Sequence, residues 1–179
     1  MTFSEKCNRI FWNVCLDYHK HNDVDACMQN PYKTSTIEYS LYKKCWIDAI
    51  LWHLEDIICN PKIESITALY IKRRIDKSNQ DRTKLAEIID CYFLDKYKDV
   101  KVASNLNIVA ESPAKIIDSL SFSSLKQYHT QQKVEHIDTT PEQKEKYQAK
   151  LDVLLRQRID LSAELDKLLK AIEAGEKGI

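Results

Sequence analysis

The chain has 179 residues, of which 44% are hydrophobic and 30% are charged, and its 27 basic side chains are balanced by 27 acidic ones. Such a chain is long and apolar enough to bury the core of one domain, which excludes a disordered protein. The zero net charge argues against a nucleic-acid partner, because phosphate contacts supply most of that affinity, and the two glycines, Gly175 and Gly178, are too few for a glycine-rich phosphate loop.

The expected compartment is the cytoplasm. No apolar segment follows Met1, which argues against a secretory signal peptide. No apolar run approaches the roughly 20 residues that a membrane-spanning helix needs. The six cysteines are scattered and include no CxxC pair, so we interpret them as reduced thiols rather than as disulfides or a zinc site.

Five helices are predicted from the spacing of apolar residues and from boundary signals. They cover approximately residues 4–20, 35–59, 61–96, 113–135 and 141–174. In the first helix, apolar residues recur every three or four positions between Phe3 and Tyr18, which indicates one buried face. Ser35 and Glu38 form a predicted capping box at the start of the second helix.

The third helix is predicted to begin directly after the second. Asn60 is a candidate N-cap and Pro61 is suited to a first helical position. A long loop is predicted to follow this helix, at about 98–111, because the sequence there has no helical period. Ser112 and Pro113 then begin the fourth helix.

The fifth helix combines a capping box with a long apolar seam. Thr140 and Gln143 form the capping box, and Gly175 is predicted to end the helix. The seam alternates spacings of four and three, as in a coiled coil. Its members are Tyr147, Leu151, Leu154, Arg158, Leu161, Leu165, Leu168 and Ile172. Together the five segments predict an all-α fold, a single-domain antiparallel bundle of four to five long helices with one long loop.

Polar residues interrupt the apolar faces of the predicted helices. Because a buried ion without a partner is costly, we expect these groups to meet inside the bundle. The predicted polar core or pocket consists of Trp46, Trp52, His53, Glu55, Asp56, Arg74, Asp76, Asn79, Arg82 and Arg158. A natural pairing sets Arg82 or Arg74 against Glu55 or Asp56. Such a network either fixes which helices pack together or forms a binding or catalytic pocket.

A metal site is the alternative interpretation of the same helices. His53 and Asp56 are one helical turn apart, as are Glu87 and Asp90, so two facing pairs would enclose Mg²⁺ or Mn²⁺. The arrangement resembles the paired acidic motifs of all-α nucleoside-triphosphate pyrophosphohydrolases. That resemblance implies a bound Mg²⁺ that activates water, with Arg82 or Arg74 on the phosphate oxygens. We favour an internal salt-bridge network, and so expect no metal or other cofactor.

The remaining histidines are interpreted as surface features. His19 and His21 follow Asp17 near the end of the first helix, where a cation is placed favourably at a helix C-terminus. His129 and His136 are seven residues apart and share a helix face that we expect to be partly exposed. Neither group is predicted to hold zinc.

Several segments of the chain resemble one bacterial family. They are residues 46–48, 52–58 and 72–82, with further similarity at 89–90, 111–114, 151–155 and 157–162. The family is the uncharacterised domain of unknown function 4254 (DUF4254). The resemblance implies a cytoplasmic helical protein, and it also suggests a link to cell-envelope glycan assembly, but it implies no activity.

The sequence therefore supports two alternative functions. The first is a non-catalytic interaction or accessory protein that uses the seam of the fifth helix to bind a protein partner or a second copy of itself. The second is a Mg²⁺-dependent phosphoanhydride hydrolase that uses His53, Asp56, Glu87 and Asp90.

Overall fold

The computed structural model describes residues 1–101 and 111–178, and in this part the chain forms five α-helices that pack into a bundle. The helices are α1 (Phe3–His19), α2 (Ile37–Ile58), α3 (Ser65–Lys96), α4 (Pro113–Glu135) and α5 (Pro141–Glu173). The predicted all-α bundle is confirmed. Most of the predicted loop at 98–111 lies outside the described residues.

Two of the predicted helix starts need correction. The N-cap of α2 is Thr36 rather than Ser35, and its side chain accepts a hydrogen bond from the backbone N–H of Tyr39. The start of α3 is Ser65 rather than Pro61, because the residues between form a turn. In that turn Asn60 accepts hydrogen bonds from Lys62 through its side chain and from Ile63 through its carbonyl.

Both ends of α5 agree with the sequence prediction. Thr140 and Gln143 form the predicted capping box. At the other end Gly175 has a φ of 70°, and the N–H groups of Gly175 and Glu176 bond back to Ile172 and Ala171. This is the Schellman arrangement, which favours glycine at the left-handed position. A Cβ there would also lie 2.4 Å from the carbonyl oxygen of Lys101.

Helix α1 lies inside the bundle and contacts α2, α4 and α5. Its apolar face is completely buried, including Ile10, Phe11 and Tyr18. Helix α3 packs mainly against α2 and also contacts α4. The C-terminal end of α1 is consequently brought beside the middle of α2 and the second half of α4, where the candidate site lies.

The apolar seam of α5 packs against other helices of the bundle. Helix α5 packs along α4 and also contacts α1. Five members of the seam are buried, namely Leu151, Leu154, Leu165, Leu168 and Ile172. No helix in the described ranges is both long and apolar enough to span a membrane.

Candidate functional site

The predicted polar residues do not assemble into one site. Arg82 reaches the bundle interior as expected, but its partners are Asp48 and Asp118 rather than Glu55 or Asp56. The distances are 2.7 Å from Arg82 Nε to Asp48 Oδ1 and 2.9 Å from Arg82 Nη2 to Asp118 Oδ1. Glu55 and Asp56 are exposed on α2.

Arg82 belongs to a buried ionic network that joins α2, α3 and α4. Lys44 on α2 is 1% exposed; it pairs with Asp48 one turn later, and its Nζ lies 2.6 Å from Asp118 Oδ1. The hydroxyl of Ser121 donates to Asp48 Oδ2 at 2.5 Å. Burial raises the pKa of Asp48, although Lys44 and Arg82 oppose this shift. The network contains two cations and two carboxylates, so its charges compensate one another.

Two of the other predicted residues are separate from this network. Arg74 pairs with Asp25 at 2.9 Å and donates to the carbonyl of Val24. Asp76 pairs with Lys72 on the surface of α3.

Three more of the predicted residues also lie apart from one another. Asn79 accepts a hydrogen bond from Arg82 but is exposed. Arg158 is partly exposed on α5. Trp46 is buried and packs edge-to-face on Tyr18.

The second polar cluster consists of three histidines and is termed the histidine centre. His19 is the last residue of α1, His53 lies on α2 and His129 lies on α4. One ring nitrogen from each histidine lies within 4.8 Å of the other two. The Nε2 atoms of His19 and His53 are 3.3 Å apart. In the described part of the chain, these are the only three histidine, cysteine or acidic side chains placed to share an ion.

Hydrogen bonding assigns the tautomer of His19 and leaves His129 unpaired. The Nδ1 atom of His19 is 2.6 Å from the carbonyl oxygen of Cys15, which can only accept, so Nδ1 carries the proton. The Nε2 atom of His19 then presents its lone pair to the centre. The Nε2 atom of His129 is buried and has no hydrogen-bond partner.

The environment keeps all three imidazoles neutral. Burial lowers the pKa of His129 to about 4, and the nearby rings of His19 and His53 add to the shift. Burial is also the main reason why the pKa values of His19 and His53 are lowered. Neutral imidazole is the form that binds metal ions. The centre is therefore ready to accept a cation at neutral pH.

Aromatic rings hold the histidines in place. The ring of His129 stacks on Trp52, with centroids 4.8 Å apart and planes inclined by 10°. Tyr128 stacks on His19 at 4.2 Å, and Tyr18 stacks on His53 at 5.3 Å. These contacts restrict ring rotation, so the nitrogen positions are largely set before any ligand binds.

Two depressions border the histidine centre. His19 and Tyr128 line a groove of about 630 Å³ between the end of α1 and its neighbours. His53 lines a second depression of about 490 Å³, which also contains Asp23 and Asp56. The centre is thus half-buried, with His19 at the edge of one depression and His53 at the edge of the other.

The predicted magnesium site does not form. Glu87 is exposed on α3. Asp90 faces the start of α4, where its Oδ1 accepts a hydrogen bond from the backbone N–H of Ala114 at 3.0 Å. Neither residue joins His53 and Asp56 in a group able to hold an ion.

Sequence reasoning identified one member of the histidine centre and missed the other two. His53 was placed on an apolar face, whereas His19 was interpreted as a helix-terminal cation and His129 as part of an exposed face. A usable signal was present, because His19 and His129 both have aromatic neighbours in sequence, Tyr18 and Tyr128. The three histidines are 34 and 76 residues apart along the chain, so no local spacing rule connects them.

The chain belongs to a family of unknown function. Its residues 38–179 match the model of the family described as protein of unknown function (DUF4254), which confirms the resemblance found in the sequence. His53 and His129 lie within the matched segment. No curated protein and no solved structure matches the chain.

Proposed function

We propose that this DUF4254 protein binds a divalent transition-metal ion, Zn²⁺ above all, through His19, His53 and His129. The observation that supports the proposal is the placement of three neutral imidazole nitrogens within 4.8 Å of one another. One of these rings has a buried nitrogen without a partner. A buried ring nitrogen that stays unpaired is costly, and a metal ion bound to its lone pair would satisfy it.

The spacing of the nitrogens fits tetrahedral zinc. Zn–N bonds are about 2.0–2.1 Å long, which places two ligands of a tetrahedral site about 3.3 Å apart. The Nε2 atoms of His19 and His53 are 3.3 Å apart. A ring nitrogen of His129 lies within 4.8 Å of both.

The three imidazole nitrogens favour some metal ions over others. Imidazole suits Zn²⁺, Cu²⁺ and Ni²⁺, whereas Mg²⁺ prefers oxygen ligands. The carbonyl of Cys15 accepts the Nδ1 proton of His19 and so orients the ring, as backbone carbonyls usually do for metal-binding histidines. We therefore replace the Mg²⁺ alternative by a site for a nitrogen-preferring ion.

Acidic side chains lie on the solvent side of the histidine centre. Asp23 and Asp56 line the depression that His53 borders. Carboxylates at this position favour the arrival of a cation, and the effect is reduced by salt.

An interaction or accessory role, with a link to cell-envelope glycan assembly, stays a prediction. Its support in the sequence was the seam of α5, and that seam is largely buried against the bundle. A metal ion bound between α1, α2 and α4 is compatible with an accessory role and with an enzymatic role, so the site does not distinguish the two.

Calorimetric titration of chelator-treated protein with ZnCl₂ tests the proposal. We expect one Zn²⁺ per chain in the wild type and a loss of affinity of at least 100-fold in His129→Ala, because one of three ligands is removed. His136→Ala is the matched control, since His136 is an exposed histidine just beyond α4. Absence of stoichiometric zinc binding, or equal affinity in the two variants, would refute the proposal.

A further inference from the structure

We propose that the protein forms a two-fold symmetric dimer in which the exposed faces of two α3 helices pack antiparallel to each other. The proposal does not depend on the metal ion, and the partner that it names is a second copy of the chain. It places self-association on α3 rather than on α5, because the seam of α5 is largely buried within the bundle.

Exposed apolar side chains are concentrated on α3. Of the eleven large apolar residues that are exposed in the described part of the chain, five lie on this helix, so it is the first candidate for a contact surface. They form one group near each end of the helix, namely Ile66, Leu69 and Tyr70 near its start and Ile88 and Leu94 near its end. Single exposed apolar residues are common on protein surfaces, whereas groups of them mark interaction sites.

A continuous line of exposed residues, termed the outer stripe, joins the two groups. Its positions alternate spacings of four and three, as in a coiled coil. The outer stripe consists of Ile66, Tyr70, Arg73, Lys77, Gln80, Lys84, Glu87, Cys91 and Leu94, all of which are exposed. The face of α3 that packs on the bundle follows the same spacing at Ile71, Ile75, Ser78, Arg82, Leu85 and Ile89. The outer stripe therefore stays on the side of α3 that is turned away from the bundle.

The charges of the outer stripe exclude parallel packing of two copies. Its charged members are Arg73, Lys77, Lys84 and Glu87. In a parallel two-fold pair each residue faces its own counterpart, so like charges would meet at all four positions. Like charges placed opposite each other oppose association.

Antiparallel packing brings opposite charges together instead. Gln80 lies midway between Ile66 and Leu94, so a two-fold axis beside Gln80 places each apolar end of one outer stripe on the other apolar end of the second. Arg73 and Glu87 are each seven residues from Gln80, and they consequently face each other across the axis. Two-fold symmetry makes this pair occur twice.

The bundle itself leaves these two charges without partners. Lys72 and Lys77 pair with acidic residues one turn away on α3, but neither Arg73 nor Glu87 belongs to an ion pair within the described ranges. A second copy supplies the opposite charge to both of them.

The remaining positions agree with the same register. Lys84 faces Asp76 of the second copy, and Leu69 faces Cys91 of the second copy, because the members of each pair are equally far from Gln80. No residue of the outer stripe faces a like charge in this arrangement. The contact from residue 66 to residue 94 is about 42 Å long at about 1.5 Å per residue.

Mixing two charge-reversed variants tests the proposal by sedimentation equilibrium in the presence of a chelator. Arg73→Glu and Glu87→Arg each place like charges across the axis, so we expect each variant alone to dimerise at least tenfold more weakly than the wild type. An equimolar mixture should recover the dimer, because both pairs then join opposite charges. Arg156→Glu is the matched control and should dimerise like the wild type, since Arg156 is exposed on α5.

Two results would overturn the proposal. One is a wild type that remains monomeric at about 100 μM. The other is a mixture of the two folded variants that associates no better than each variant alone. Because a chelator is present, either result leaves the proposed metal site untouched.

A cysteine cross-link distinguishes the antiparallel register from other modes of association. In Leu69→Cys the introduced thiol would lie opposite Cys91 of the second copy, and a disulfide requires such proximity. After mild oxidation with copper phenanthroline we expect a covalent dimer in Leu69→Cys and none in Leu69→Cys/Cys91→Ser. Cys27 and Cys59 are also exposed and are present in both variants. Equal cross-linking in the two variants would contradict the antiparallel register.

Discussion

Two polar clusters lie inside this bundle, and they differ in whether their groups compensate one another. The ionic network places Lys44 and Arg82 against Asp48 and Asp118, and each of these side chains has a partner of opposite charge. The Arg82–Asp48 contact is an ion pair rather than a well-aligned hydrogen bond. In the histidine centre, the buried Nε2 of His129 has no partner.

This difference between the two clusters indicates a structural role for the ionic network and a ligand-binding role for the histidine centre. A network whose charges are compensated from within gains nothing from an additional ligand, and its loss leaves charges buried without partners. Three neutral rings with converging nitrogens are, by contrast, incomplete by themselves. We therefore assign specification of the fold to the ionic network and ligand binding to the histidine centre, and the following predictions test this assignment.

The largest effect is expected when the ionic network is broken. Asp48→Ala removes the carboxylate that faces both Lys44 and Arg82, and Lys44 is only 1% exposed. Breaking a buried ion pair from one side costs about 3–5 kcal/mol. We expect the free energy of unfolding, measured with urea, to fall by that amount.

Asp76→Ala is the matched control for this change. Asp76 also pairs with a lysine one turn away, Lys72, but both side chains are more than half exposed. Such pairs contribute less than about 1 kcal/mol. Equal losses in the two variants would contradict a structural role for the ionic network.

A smaller effect is expected when the metal-free protein is acidified. The folded-state pKa of His129 is about 4, and those of His19 and His53 are also lowered. Unfolded histidine has a pKa of about 6.5, so the unfolded chain binds more protons as pH falls below that value. Stability is therefore complete above about pH 6.5 and is lost as pH falls toward about 4.

Because the ring of His129 is partly exposed, solvent screening reduces its contribution to this loss to about 1–2 kcal/mol. Urea titrations between pH 7 and pH 4.5 in the presence of a chelator would measure it. Attraction to Lys44 and Arg82 outweighs burial and lowers the pKa of Asp118, whereas burial raises the pKa of Asp48 and so opposes the loss. The wild type is therefore compared with His129→Phe, which keeps these carboxylates, and equal profiles in the two proteins would show that His129 is not kept neutral by the fold.

The sequence predicted the helices well because helix signals are local. The capping box at Thr140 and the glycine at Gly175 each depend on residues within one or two turns, and both were found where expected. The start of α3 was predicted four residues early, because Asn60 and Pro61 suit a turn as well as a helix start.

The polar interior was predicted only in part because pairing between helices is not local. Arg82 was correctly expected to need an acidic partner, but Asp48 and Asp118 come from two other helices. The histidine centre required the end of α1 to lie beside α2 and α4 at the level of His53. Such a relation follows from packing and not from any spacing along the chain.

A modest gain in stability is expected from removing the unpaired nitrogen of the histidine centre. His129→Phe keeps a ring that can stack on Trp52 and eliminates the buried Nε2. Relief of an unpaired buried polar atom is worth about 1 kcal/mol. We expect the metal-free variant to unfold at higher urea concentration than the wild type, and zinc to stabilise only the wild type.

His129→Ala provides the comparison for this prediction, because it removes the same nitrogen together with the stacked ring. We expect it to be less stable than His129→Phe by at least the value of the lost aromatic contact, about 0.5–1.5 kcal/mol. A metal-free His129→Phe protein that is no more stable than the wild type would show that the fold already satisfies this nitrogen. The histidine centre would then be as complete without a ligand as the ionic network is.

The smallest effect is expected at the edge of the histidine centre. Asp56 is exposed and lines the depression beside His53, so its charge acts on an incoming cation only through solvent. We expect Asp56→Asn to weaken zinc binding about two- to threefold at low ionic strength, and less at high salt, because exposed charges are screened over about a Debye length. Glu55→Gln changes the net charge equally, but Glu55 is not among the residues that line the depression. Equal weakening by the two variants would indicate that overall charge, rather than the acidic depression, assists zinc binding.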